Sequence, residues 1–213
     1  MSESIPSVAN FFLEQLPAHF KRFLPRLSGF SLTDIKLAAF EFEIESVGLF
    51  CVQIKNGTLQ VRRGGAANPV WHMNMSLSAW SDMYQYVYMP MLNALEEAPV
   101  VNVENLINNQ AKAHAVHLKL NWKQPQLMIQ AISAKPMQID IKILDNPGIK
   151  WHFLLGTAEE DAPLVKVEMQ FSTWLALAHR QMTFAQAWSQ QLIHLNGAVT
   201  TLMGLLSQLI EKA

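Results

Sequence analysis

His114 and His117 are the first residues whose spacing suggests chemistry, because imidazole is a common metal ligand. The run around them, Ala111 to Leu120, reads as a strand, and residues three apart on a strand point to opposite faces. They do not share a metal. The lone thiol, Cys51, sits in the apolar run Leu49-Phe50-Cys51-Val52 with no basic neighbour to favour a thiolate, so it reads as a buried core residue. A single cysteine also excludes an internal disulfide and a Cys-rich metal site. Ser172 and His179 could form a hydrolase pair, but no Gly-x-Ser-x-Gly elbow surrounds the serine. Ser172 reads instead as a helix cap. The acidic pairs Glu96-Glu97 and Glu159-Glu160-Asp161 fall in loop-like segments and read as solvated. No phosphate-binding loop or dinucleotide fingerprint occurs. These residues predict a non-enzyme with no metal site and no cofactor.

The elements that hold such residues are those of a chain rich in apolar side chains. Of 213 residues, 50% are hydrophobic and 15% charged, and the formal net charge is −1. The charged share falls well below the roughly 25% typical of globular proteins. The apolar excess must enter a generous core, a ligand cavity or an interface. A neutral balance without a basic face argues against nucleic acid as a partner. The start, MSESIPSVANFF, lacks a secretory pattern, and no window approaches the roughly 18 apolar residues of a membrane span, which predicts a cytoplasmic protein.

Residues 8–27 carry Phe11, Phe12, Leu16, Phe20, Phe23, Leu24 and Leu27 on one helical stripe, with Pro17 and Pro25 expected to kink or split the helix. Lys21, Arg22 and Arg26 lie off the stripe. Such a helix packs on the protein body, or meets a membrane surface or protein partner. Phe40 to Glu45 alternates apolar and acidic, as a half-buried strand does. Leu49–Ile54 and Thr58–Arg62 flank Asn56-Gly57, a strong hairpin signal. Trp71 to Leu77 alternates again, and Ser78 is expected to cap a helix. Val103 to Asn109 reads as a short helix. Strands are expected over Leu127–Ile132, Met137–Leu144, Lys150–Leu155 and Leu164–Phe171. Helices are expected after Ser172 and Thr183, then a short strand Leu192–Leu195 and a final helix Ala198–Lys212.

The two halves echo each other. Residues 73–80 read MNMSLSAW and residues 167–174 read VEMQFSTW, so Met75, Ser78 and Trp80 match Met169, Ser172 and Trp174 at an offset of 94. Each copy is a strand, a Ser, then a Trp in the first helical turn. This predicts two tandem related α/β units, 1–100 and 101–213, or one continuous domain built from both.

The series Phe171-Ser172-Thr173-Trp174-Leu175-Ala176-Leu177, then Met182 to Trp188, then Leu192-Ile193-His194-Leu195-Asn196-Gly197, then Leu202 to Leu206 resembles the sterol carrier protein type 2 domain. Residues Phe50 to Trp80 resemble that family's hairpin and following strand. The chain departs from the family pattern at His179-Arg180-Gln181 and Gln190-Gln191, where Gly is usual, and at Ala198, where an acidic residue is common. The resemblance implies an α+β fold with a mixed, mostly antiparallel sheet covered by helices. It also implies a tunnel for an apolar lipid: acyl, sterol-like or isoprenoid. Its expected lining is Trp174, Leu177, Trp188, Ile193, Val199, Leu202, Met203 and Leu206. Met73, Met75, Met169, Met182 and Met203 fall in the same elements, and unbranched thioethers suit a cavity that adapts to several ligands. Some bacterial proteins with this domain resemble accessory factors of ubiquinone synthesis that present a prenylated intermediate to partner enzymes, which is the alternative role.

Overall fold

The computed structural model describes residues 5–24, 27–28, 35–97, 101–102, 125–156, 161–179 and 181–209. Ten strands are described: β1 Leu27–Ser28, β2 Ala38–Ile44, β3 Gly48–Lys55, β4 Thr58–Arg63, β5 Trp71–Met75, β6 Val101–Asn102, β7 Met137–Ile143, β8 Lys150–Leu155, β9 Leu164–Met169 and β10 Ile193–Gly197. The helices are α1 (8–23), α2 (77–97), α3 (Pro125–Ser133), α4 (Phe171–Ala178), α5 (Phe184–Ser189) and α6 (Val199–Leu209). The protein is α+β. Eight strands form one mixed sheet in the order β10-β9-β7-β8-β5-β2-β3-β4. The neighbours β2/β5 and β7/β9 are parallel, and the other five pairs are antiparallel. β1 and β6 pair separately in parallel.

Strand periodicity sorts the sheet into two unlike faces. Cross-strand partners on one face are Phe42, Phe50, Met73, Phe153, Ile139 and Val165. On the other they are Glu43, Asn74, His152, Asp140, Lys166 and Asn196. Each of the six helices sends side chains to the main core, which lies on the apolar face: Phe12, Trp80, Ile132, Trp174, Ala187 and Leu202 all belong to it. The helices therefore cover that one face, and the polar face carries a cleft. One buried cluster draws on both halves of the chain.

The echo is also a repeat of topology. In the first half a hairpin, β2-β3, is followed by β5 in parallel beside β2, then by α2. In the second, β7-β8 is followed by β9 in parallel beside β7, then by α4. Where the first hairpin continues into β4, the second finds β5 of the first half.

Local signals account for most boundaries. Asn56 and Gly57 have φ of 48° and 76°, as a tight hairpin turn requires. The helix is not split at Pro17, and Pro25 lies outside the described residues. Pro17 and Pro90 do not break their helices, because each follows a five-residue π turn, Phe11–Gln15 and Tyr84–Tyr88. Pro lacks the N–H that would bond the carbonyl four residues back, and widening the preceding turn accommodates that loss. The segment expected as a strand over Leu127–Ile132 is the helix α3. A six-residue run with five apolar residues is too short for its period to decide, and here Ile129 and Ile132 pack on a cluster of Ile35, Ala38 and Val70. The Leu164–Phe171 strand stops at Met169, and Phe171 opens α4. The expected helix at 103–109 and strand at 111–120 lie outside the described residues.

Both repeat helices start at the same place. The cap of α2 is Ser76 rather than Ser78: its Oγ accepts from Ala79 N at 3.2 Å and donates to Gly148 O at 2.6 Å. Ser78 Oγ donates to the same carbonyl at 2.9 Å. The α4 cap position is Gln170 rather than Ser172, and Phe171 N donates to Asp145 Oδ1 at 2.7 Å. The β7-β8 turn thus holds both helix N-termini. Thr183 caps α5 as expected, in a reciprocal capping box with Gln186.

Candidate functional site

The structure places the expected lining residues at different depths. Ile193 and Leu202 are buried in the main core, with Trp174 and Leu177 half-buried against it. Val199 and Met203 are half-buried on α6. Trp188 is 45% exposed, and with Ile193 it lines a surface cleft of about 430 Å³ shared with Glu168, Gln191, His194, Leu195 and Asn196. Leu206 lies on α6, and its side chain falls outside the described ones.

Aromatic rings fill the apolar layer. In the N-terminal half, Phe12 stacks on Phe50 at 4.8 Å and meets Phe42 at 5.2 Å. Phe11 sets its edge against Trp80, Tyr84 and Tyr88. α1 therefore plugs this half with its own side chains. His19 Nδ1 lies 2.7 Å from the Tyr88 hydroxyl between α1 and α2, and burial holds the histidine below its ordinary pKa and the phenol above its own.

The C-terminal half is arranged differently. Trp151 of β8 stacks on Trp174 of α4 at 5.2 Å, Trp174 stacks on Phe171 at 5.4 Å, and Phe171 meets the edge of Tyr86 of α2. α2 and α4 are clipped together where His179 Nε2 hydrogen-bonds the Tyr86 carbonyl. That carbonyl is open to an outside donor because Pro90, four residues on, has no N–H to give it. Within this layer the indole nitrogens of Trp71 and Trp151 are buried with no hydrogen-bond partner among the described residues.

The polar face holds groups that the sequence reading did not bring together. His72 lies with Nδ1 2.9 Å from Glu41 Oε2 and Nε2 3.1 Å from Glu43 Oε2. Glu41, which is 6% exposed, also accepts from Ala66 N. His152 Nδ1 lies 2.5 Å from Asp140 Oδ1, and Lys142 pairs with Glu168 at 3.5 Å. A cleft of about 560 Å³ runs over this face, past Ser76, Lys150 and Lys166. Each strand showed its i, i+2 alternation, but the cross-strand register that joins Glu41 to His72 cannot be seen in a one-dimensional pattern.

Chemically, the described residues assemble no nucleophile with its base. His179 is engaged with a backbone carbonyl, and Cys51 is fully buried with its thiol pushed up by burial. No group of three or more His, Cys, Asp or Glu among the described residues could hold a metal ion. No helix among them is long and apolar enough to cross a membrane.

No family model matches the chain, and no curated protein does. Among solved structures, it is similar to the stereoselective inverting sec-alkylsulfatase Pisa1 from Pseudomonas sp., at 18% identity over 41% of this chain and 16% of that one, with a TM-score of 0.27. A double mutant of the same sulfatase gives 18% identity over 42% and 16%, with a TM-score of 0.28. The chain spans about a sixth of that protein's length. At this level of likeness, function has to be argued from the chain's own residues.

Proposed function

We propose that this chain is a non-catalytic, cytoplasmic carrier of an apolar lipid, acyl, sterol-like or isoprenoid, held between the sheet and the helices of its C-terminal half. The observation that supports this most is the arrangement of Trp151, Trp174 and Phe171 in a stack under α4, with Leu177, Ile193 and Leu202 joining the same core. A layer of that composition binds by area removed from water, roughly 25 cal/mol per Å², with loose specificity because few polar groups are on offer. The N-terminal half serves as the closed copy, its equivalent space being filled by Phe11 and Phe12.

Native mass spectrometry of the purified full chain, with lipid extraction in parallel, tests this. A co-purifying lipid, or stoichiometric binding of a fluorescent fatty acid or prenyl probe, is the expected result. Protein free of lipid that binds none of these probes refutes the reading.

A second role, presentation of a prenylated intermediate of ubiquinone synthesis to partner enzymes, is favoured by one observation. Trp188 and Leu192, 45% and 37% exposed, stand beside the sheet-edge strand β10. Exposed aromatic anchors of this kind are enriched at interfaces. A pull-down in which Trp188→Ala loses partners that wild type retains would favour presentation. A wild-type protein that recovers no partner would leave free carriage.

A further inference from the structure

An indole carries one N–H donor and no acceptor. Trp151 is 4% exposed, and its Nε1 has no partner among the described residues. A buried donor left unpaired keeps the full penalty of leaving water, and a phenylalanine here would fill much of the same space without it. The orphan donor therefore points to an acceptor that arrives from outside the chain.

Its surroundings define that acceptor. Trp151 stands on the apolar face of β8, opposite Met75 on one side and Ile141 on the other. Its ring is roofed by Trp174, and the series continues through Phe171 to Tyr86, all three half-buried. The rings thus run from the buried Trp151 to Tyr86 of α2. The buried polar residues among those described are Glu41 and Thr173, and Glu41 lies on the opposite face of the sheet. Among the described residues no buried cation is present to neutralise a carboxylate, and a single neutral donor does not compensate for burying one.

We propose that the Trp151 indole N–H anchors an uncharged carbonyl oxygen, of the ester or ketone class, on an otherwise apolar ligand held in the aromatic layer between β8 and α4. This rests on the carrier reading above and narrows it. The site prefers a neutral carbonyl lipid over a free fatty acid or a pure hydrocarbon, which bind through their apolar area alone.

The test uses the full chain with labelled indole nitrogens and phosphatidylcholine vesicles carrying either 2-heptadecanone or n-heptadecane. With the ketone, the Trp151 indole resonance shifts; with the alkane it does not. The protein extracts the ketone about tenfold in preference to the alkane, and Trp151→Phe brings that preference close to unity. If both lipids bind and the indole stays still, or Trp151→Phe keeps the preference, this inference is overturned and the carrier reading stands. If neither lipid leaves the vesicle while a fluorescent fatty acid or prenyl probe binds, the inference is overturned and the carrier reading stands; if no probe binds either, both fail. Should Trp151→Phe not fold, the wild-type resonance, assigned through its neighbours Trp174 and Met75, decides alone.

Discussion

Replacing Phe12 by Ala tests whether α1 is part of the core. Phe12 is 2% exposed, stacks on Phe50 at an interplanar angle of 12°, and touches Phe42 and Phe11. A phenyl ring buries about 200 Å² of apolar surface, which at about 25 cal/mol per Å² sets an upper limit near 5 kcal/mol. Truncation to Ala also leaves a cavity that the sheet below cannot close, so the expected loss is about 3–5 kcal/mol. The adjacent Leu13, 38% exposed, is the control, and Leu13→Ala should cost less than about 0.5 kcal/mol. Urea unfolding measures both. With a slope of about 2–3 kcal/mol per molar for a chain of this size, the Phe12→Ala midpoint falls by about 1–2 M. Equal midpoints for the two variants would refute the docking of α1 through its phenylalanine stripe. A reduced slope in wild type would show that α1 is already detached before the main transition.

Three further outcomes follow from the geometry. Gly197 has φ of 89°, and a Cβ there would lie 2.2 Å from the Leu164 carbonyl oxygen, so Gly197→Ala should destabilise by at least about 2 kcal/mol, whereas Gly148→Ala, whose nearest contact would be 3.5 Å, should be near neutral by thermal melting. Cys51, fully buried, with burial and then Glu41 raising its thiol pKa against Arg62, should resist Ellman's reagent in the native protein and give one equivalent in urea. Burial, aided by Arg22 and opposed by Glu96, lowers the pKa of His19 from 6.5, so the unfolded chain takes up this proton first. Its contribution is present above pH 6.5 and lost as pH falls through the lowered value, and the urea midpoints of wild type and His19→Gln should differ in pH slope across that range.

Much of this fold was legible in the sequence where local rules act alone. The Asn56-Gly57 hairpin, the Thr183 cap and the alternating strands Phe40–Glu45 and Met137–Leu144 depend on φ preferences and period-two burial. The offset of 94 between Trp80 and Trp174 carried the topological repeat. What failed depended on tertiary context. α3 looked like a strand because a six-residue, mostly apolar run fits either period. The caps moved to Ser76 and Gln170 because the β7-β8 turn supplies the partner, and that turn is remote in sequence from both helices. Trp151 read as one strand residue among several, and nothing in its neighbours signalled that its N–H would be buried without a partner.

The borrowing of β5 by the second hairpin has a consequence for dissection of the chain. In the first half, β3 is protected by its own β4; in the second, β8 is protected by a strand encoded about 80 residues earlier. Cutting the polypeptide between α2 and α3 would leave each fragment with a bare, ordered sheet edge, β5 on one and β8 on the other, each with apolar side chains on one side. Such edges recruit whatever strand is at hand. Separate expression of 1–100 and 101–213 should yield fragments that aggregate or pair with themselves, while co-expression should restore the soluble eight-stranded sheet as a two-piece complex.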